Sequence, residues 1–175
     1  MPKPRKMLGS VDSPYIISLM HLIETQSKTT IAKWCIDYAE EHILSIYEKA
    51  YPNDNRLRDA INASNDWLDG KVKLPMVKKL ILEARAAARE AEENQAAQAA
   101  ARAVAQAATT IHTTTQSLSL AFYGCAAIAY DRVGIDEKAE VYEQIASEEC
   151  TKMEAALRAI AVENEKNPAK INWYC

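Results

Sequence analysis

The chain has 175 residues and a formal net charge of −3, from 21 Lys and Arg against 24 Asp and Glu. This length fits one domain, since single cores usually divide only beyond about 250 residues. The charge excludes the whole-domain basic excess that is typical of nucleic-acid-binding proteins. Four glycines, one phenylalanine and 30 alanines favour helices and exclude an all-β fold. We therefore expect an all-α protein.

The two ends of the chain differ from its middle. Residues 1–12 begin with a basic run but lack the apolar stretch and cleavage site of a secretory signal, so we expect a flexible basic N-terminal arm. Residues 13–166 are expected to form one helical domain, and residues 167–175 a C-terminal tail. The least charged stretch, from Ala103 to Tyr130, is too polar to span a membrane. We expect a cytoplasmic protein without membrane contact.

Apolar residues at helical intervals predict three helices in the first half of the chain. Ser13-Pro14 supplies an N-cap and a first-turn proline for a helix that ends before Ser27. A second apolar stripe runs unbroken from Ile31 to Ala50. The third stripe runs from Leu57 to Leu68 and is followed by Gly70, a good C-terminal signal.

Three further helices are predicted in the second half. The fourth begins at Pro75 and ends near Ala91, because the polar segment from Glu92 to Gln95 predicts a break. Within that segment, Asn94 has the residue type that ends one helix or starts another. The fifth is predicted as one unbroken helix from Ala97 to Ala129, about nine turns long. The sixth covers Ala139 to Ile160.

Helices with single apolar stripes and short connectors must bury those stripes against each other, which predicts an antiparallel bundle of about six helices. Helices four and five form its alanine-rich central pair, with 14 alanines between Ala84 and Ala108. Alanine permits a close approach, toward the lower end of the roughly 8–10 Å interaxial range. We expect leucine at Ala101 or Ala108 to be poorly tolerated. The sequence leaves open whether copies of the chain associate through the same alanine-rich surface to form a homo-oligomer.

No residues have the spacing of a known catalytic or metal site. His21 and Glu24 form one His-x-x-Glu, whereas di-iron bundles need two Glu-x-x-His units. His42, beside Glu41, is more often a core or boundary residue than a general base. We expect no catalytic residue, no metal and no cofactor. The cysteines form no Cys-x-x-Cys pair and are expected to be reduced: Cys35, Cys125, Cys150 and Cys175.

The hydroxyl-rich segment from Thr109 to Ser119 is the most unusual part of the chain. Hydroxyl residues are mediocre in helix interiors and costly when buried without a partner. On one interpretation, this helix with His112 and Gln116 lines a polar pocket. On the other, which we favour, the hydroxyls face solvent or bond to carbonyls one turn earlier. A pocket predicts that His112→Ala changes binding without unfolding the protein.

Charge is unevenly distributed along the chain. Lysines are clustered between Lys71 and Lys79, whereas the interval from Asp136 to Glu165 holds nine acidic and three basic residues. Such patches can steer a protein partner or a phosphate ligand, but a solvated outer helix face is the commoner explanation. No aromatic residue interleaves with the lysines, so we expect no nucleic-acid partner.

Two arginines, Arg56 and Arg58, lie in the first turn of predicted helix three. Their charge there opposes the helix dipole at roughly 0.3–1 kcal/mol each. Asp54 and Asp59 can offset that cost locally, and neighbouring helices can add carboxylates. A guanidinium group suits either a structural carboxylate or an anionic ligand, and the structural role is favoured.

Several motifs occur in a distinctive order along the chain. They are Trp34-Cys35, Glu40-Glu41-His42, the segment from Tyr51 to Ile61, Trp67 before Gly70, the segment from Glu83 to Ala91, Arg102, and Thr110-Ile111-His112. Over about Thr30 to Tyr130, this order resembles the immunity proteins of bacterial polymorphic toxin systems, in the immunity five-like group. That family carries extra histidines where this chain has Arg85, Gln106 and Gln116.

The resemblance implies a small helical protein that docks onto a cognate toxin and neutralises it without catalysis. By this resemblance, Trp34, Ile61 and Trp67 belong to the core. The alternative is a small-molecule-binding helical domain, or an unrecognised enzyme, whose polar pocket is lined by the helix 109–119. The candidate partner or ligand contacts are Arg56, Arg58, Arg89, His112 and Gln116.

Overall fold

The computed structural model describes residues 3–173, which contain eight α-helices, one short 3-10 helix and no β-strand. The expected all-α class is confirmed. The helices are α1 (Pro14–Ile23), α2 (Lys28–His42), α3 (Leu44–Ala50), α4 (Arg56–Leu68), α5 (Leu74–Glu90), α6 (Gln95–Thr109), α7 (Ser117–Val133) and α8 (Ala139–Ile160), with the 3-10 helix at Thr114–Gln116 between α6 and α7.

Helix α6 lies at the centre of the fold, where it packs against α2, α3, α4, α5 and α7. Eleven of its fifteen residues are buried, and Ala101 and Ala108 are wholly buried. Two side chains bind it to its neighbours through main-chain carbonyls. Gln98 Nε2 donates to the Ala88 carbonyl of α5 at 2.8 Å, and Ser64 of α4 donates to the Ala108 carbonyl at 3.4 Å. Helix α8 covers α1, α2 and α7.

Local signals fix several helix ends. Ser27 caps α2 by accepting a hydrogen bond from the Thr30 amide at 3.2 Å. Asn94 caps α6 through the Ala97 amide at 2.9 Å, so the predicted break between α5 and α6 is confirmed. Gly70 follows α4 with a φ of 72°, a left-handed conformation that favours glycine.

The predicted second helix is divided at Ile43, where φ is −119°, into α2 and α3. Ile43 and the adjacent Leu44 are both wholly buried. A close contact with α7 accompanies the division, because a Cβ on Gly124 would lie 2.8 Å from Ile43 Cδ1.

The prediction of one unbroken helix from Ala97 to Ala129 is wrong. Helix α6 ends at Thr109, a turn follows, and α7 begins at Ser117. The hydroxyls of Thr109 and Thr110 donate to the carbonyls of Ala105 at 2.8 Å and Ala107 at 2.5 Å. Such side-chain bonds compete with the helical ladder, which here gives way to the turn. The chain can then fold α7 back onto α6.

Both described ends of the chain are attached to the bundle. Leu8 is buried and its amide donates to the Phe122 carbonyl of α7 at 3.1 Å. The Tyr130 hydroxyl also donates to the Arg5 carbonyl at 2.6 Å, so this part of the predicted flexible arm is held against α7. In the C-terminal tail, the Ala169 amide donates to the carbonyl of the buried Gln26 at 2.7 Å.

The aromatic and cysteine predictions have distinct outcomes. Trp34 is buried and its Nε1 donates to the Met153 carbonyl at 2.9 Å. Ile61 is wholly buried, whereas Trp67 is only partly buried against the core. Three thiols are free and buried, and burial raises their pKa: Cys35, Cys125 and Cys150. The fourth predicted reduced cysteine, Cys175, lies outside the described residues.

Candidate functional site

A groove of about 220 Å³ lies across α5, α6 and α7. We name it the basic groove, because three arginines line it and none of its lining residues is acidic. It is lined by Arg85, Ala88, Arg89, Arg102, Ala105, Gln106 and Tyr123. Residues from three separate helices therefore form a single positively charged surface.

Helical spacing places the arginine and glutamine side chains of the basic groove on one face of each helix. Arg85 and Arg89 are four residues apart on α5, and Arg102 and Gln106 are four residues apart on α6. Side chains with this spacing lie on one face of a helix, one turn from each other. The intervening residues on these helices are mostly alanines, which leave open space between the arginines.

The arginines of the basic groove have few protein partners. Arg85 Nη2 donates to Thr109 Oγ1 at 3.2 Å, but Arg85 Nε is buried without a hydrogen-bond partner. Gln106 Oε1 is likewise buried, and it has no hydrogen-bond partner among residues 3–173. Within residues 3–173, no carboxylate forms an ion pair with Arg85, Arg89 or Arg102. A buried polar group without a partner costs roughly 1–3 kcal/mol, so a ligand that completes these bonds gains that energy.

The positive surface continues beyond the groove on the side of Arg102. An adjacent cavity of about 390 Å³ shares Arg102 and is lined by Lys3 and Lys6 of the N-terminal segment, with Glu92 as its one acidic residue. Helix α6 itself contains no Asp or Glu. The charge of the basic groove is therefore reinforced by the segment that packs beside it.

Arg56 and Arg58, predicted as contacts from the sequence, are each paired with carboxylates. Arg56 Nη2 lies 2.8 Å from Asp54 and 2.5 Å from Glu90 of α5. Arg58 contacts Glu48 through two nitrogens, at 2.8 and 2.6 Å. Hydrogen bonds from the Arg56 side chain hold the pKa of Asp54 at about 2. Both arginines thus have the carboxylate partners that the structural interpretation requires.

Of the other predicted contacts, Arg89 lines the basic groove, whereas His112 and Gln116 are not among its lining residues. Arg89 is exposed and lines the groove directly. His112 is exposed in the turn after α6, and the pKa of its imidazole is lowered by partial burial and by the charges of Lys78 and Arg85. Gln116 accepts a hydrogen bond from Ser119 at 3.0 Å. Ser119 is four residues before Tyr123 of the groove, on the same face of α7.

The polar pocket predicted for the Thr109 to Ser119 segment required one helical wall, and that wall does not form. Thr109 and Thr110 donate their hydroxyl protons to carbonyls of α6, as the favoured interpretation predicted. Sequence reasoning missed Arg102 and Tyr123 as groove residues. The signal for Arg102 was its four-residue spacing from Gln106 in an otherwise alanine-rich helix. Tyr123 had no comparable signal.

Among residues 3–173, no three metal-ligating side chains lie close enough together to hold a metal ion. In the same range, no helix has both the length and the apolar character needed to cross a lipid bilayer. The fold and the groove define a small α-helical protein with an open, positively charged surface site.

Comparison with known protein families assigns the chain more specifically. The family model described as "Imm-5 like putative immunity protein" matches residues 21–156, and the chain belongs to this family. The match confirms the resemblance to immunity proteins and extends it to parts of α1 and α8. Neither the curated proteins nor the solved structures compared with the chain include a match.

Proposed function

We propose that this protein is a bacterial immunity protein that binds one cognate toxin by direct docking and neutralises it without catalysis. The family assignment supports the immunity role. The observation that carries the docking proposal is the set of three arginines in the basic groove, none of which forms an ion pair with another of the residues 3–173. We also propose that the protein acts in the cytoplasm.

The docking face in this proposal is centred on the basic groove. Arg89 is the central contact, and His112 and Gln116 are proposed at its edge. Arg56 and Arg58 are proposed as weaker outer contacts, because a toxin carboxylate would have to compete with Asp54, Glu90 and Glu48. The sequence-predicted contacts are thus ranked by how freely each side chain can bind a partner.

The surface around the basic groove favours protein docking over a small-molecule site, because exposed apolar and charged side chains share one face of α5. Leu82, which is 60% exposed, lies on the same face of α5 as Arg85 and Arg89. Charged and apolar groups that are exposed together are common at protein interfaces.

A survival experiment tests the proposed function. The toxin domains encoded in the genome that carries this gene are placed individually under an inducible promoter, with this chain or an empty vector as the second plasmid. We expect this chain to restore colony counts for one toxin and to co-elute with that toxin at a defined stoichiometry. Failure to rescue any toxin domain of the genome would contradict the proposal, as would rescue without complex formation.

A further inference from the structure

We infer that the basic groove is a carboxylate-binding subsite, which takes an Asp or Glu side chain from an acidic segment of the toxin. This inference rests on the proposed function, since it states the chemistry of the partner at the docking face. The three arginines of the basic groove are suited to bind a carboxylate. A guanidinium group can bind a carboxylate through two parallel hydrogen bonds. The basic groove contains three guanidinium groups, and none of its lining residues is acidic.

Two buried polar atoms of the basic groove have no hydrogen-bond partner among residues 3–173, namely Arg85 Nε and Gln106 Oε1. Arg85 uses Nη2 to bind Thr109, while its Nε is buried and unpaired. A carboxylate oxygen that enters beside Arg85 would satisfy this donor. Gln106 lines the same groove, and its amide NH₂ group is a further donor from which a carboxylate can accept. One acidic side chain would therefore give the buried Arg85 Nε a partner and meet a second donor in the groove.

The shape of the surface indicates a protein segment rather than a free anion. Residues 78, 82, 85 and 89 follow each other at spacings of four, three and four, which places them on one face of α5. The exposed Leu82 therefore lies in line with Lys78, Arg85 and Arg89. A free anion would leave Leu82 unused, whereas a segment with an acidic residue beside an apolar residue contacts both.

A titration with peptides tests the inference without knowledge of the toxin. The probe is a blocked peptide of alternating leucine and glutamate, the matched control peptide carries glutamine in place of glutamate, and inorganic phosphate is titrated separately. The observed signals are the side-chain Nε–H resonances of ¹⁵N-arginine-labelled protein. We expect saturable shifts at Arg85, Arg89 and Arg102 with the glutamate peptide, and none at Arg158, which lies on α8.

Variants then identify the groups responsible. Arg89→Gln and Arg102→Gln should each weaken glutamate-peptide binding by about two- to fivefold, the size expected when a solvent-accessible charge pair loses one partner. Arg158→Gln, an exposed arginine outside the groove, should leave binding unchanged. Equal binding of the glutamine peptide, or equal shifts at Arg158, would overturn the inference. Phosphate binding as tight as that of the peptide would also overturn it, because the site would then be a simple anion site.

The survival experiment separates this inference from the proposed function. If the wild-type chain rescues a toxin, Arg89→Glu should abolish rescue and Arg158→Glu should preserve it. Equal rescue by wild type, Arg89→Glu and Arg158→Glu would overturn the carboxylate subsite and leave the immunity function intact. A wild-type chain that rescues no toxin while its groove still binds the glutamate peptide would instead count against the immunity function.

Discussion

The Asp54 network predicts a pH-dependent contribution to stability that one substitution removes. Asp54 accepts hydrogen bonds from the Tyr47 hydroxyl at 2.6 Å and from Arg56 Nη2 at 2.8 Å. These bonds hold the pKa of Asp54 at about 2, against an ordinary value of 3.8. At about 1.36 kcal/mol per pH unit, the difference corresponds to about 2 kcal/mol of folding free energy.

The sign of the effect follows from the direction of the pKa change. Because the folded-state pKa of Asp54 is lowered, the stabilisation is fully present above about pH 4, the ordinary range of the carboxyl. It decreases as the pH falls from 4 toward 2, where the folded protein also takes up the proton. Asp54→Asn should therefore lower the free energy of unfolding by about 2 kcal/mol at pH 7, and by much less near pH 2.

Urea unfolding followed by circular dichroism measures this difference at pH 7, 5, 4, 3 and 2.5. Asp12→Asn serves as the matched control, since Asp12 is an exposed carboxyl near the N-terminus. We expect the gap between wild type and Asp54→Asn to narrow below pH 4, while the control shows no such narrowing. A gap of constant size from pH 7 to pH 2.5 would refute the assignment of this network to a charged Asp54.

Three further predictions concern the core and the turn after α6. Leucine at the wholly buried Ala101 or Ala108 should cost about 1–3 kcal/mol through overpacking and lower the Tm, by about 2–4 °C per kcal/mol, whereas leucine at the exposed Ala159 should not; an unchanged Tm would place these alanines outside the packed core. Trp34→Phe should cost about 1–3 kcal/mol in urea unfolding, because the buried bond from Trp34 Nε1 to the Met153 carbonyl is lost and the smaller ring leaves a cavity, and a cost near zero would contradict that bond. His112→Ala should change stability by less than about 0.5 kcal/mol, since the side chain is exposed, yet weaken toxin binding in calorimetry; identical binding would remove His112 from the docking face.

Helix ends that depend on local residues could be predicted from the sequence. Helix α4 begins at Arg56 and ends at Leu68, within one residue of the apolar stripe that predicted it, because Gly70 ends it locally. The break before α6 was equally predictable from Asn94, whose side chain caps the helix. In both cases the determining interaction joins residues only a few positions apart.

The two missed interruptions depend in part on contacts between residues far apart in the sequence. The apolar spacing stays helical across Ile43 and across Thr110, so periodicity alone predicts continuous helices there. Burial of Ile43 close to Gly124 is a contact between residues about eighty positions apart. The return of α7 onto α6 is likewise a tertiary contact, which compensates for the helical bonds lost in the turn.

The basic groove could be predicted only in part. The sequence identified Arg89 as a contact and Arg85 and Gln106 as departures from the family pattern, but it gave no reason to group them. The packing of α5 on α6 brings Arg85 near residues of α6. This packing depends on buried alanines along α6, so the site follows from the fold and not from a motif.

Toxin neutralisation by a pair of charge-reversal variants tests most directly whether the basic groove binds the toxin. Arg89→Glu alters the basic groove and Arg158→Glu alters an exposed arginine on α8, with the same change of two charges. Both are expressed with the toxin that the wild-type chain neutralises, and colony counts are compared after induction. We expect loss of rescue for Arg89→Glu and full rescue for Arg158→Glu. Full rescue by both variants would contradict the claim that the basic groove binds the toxin.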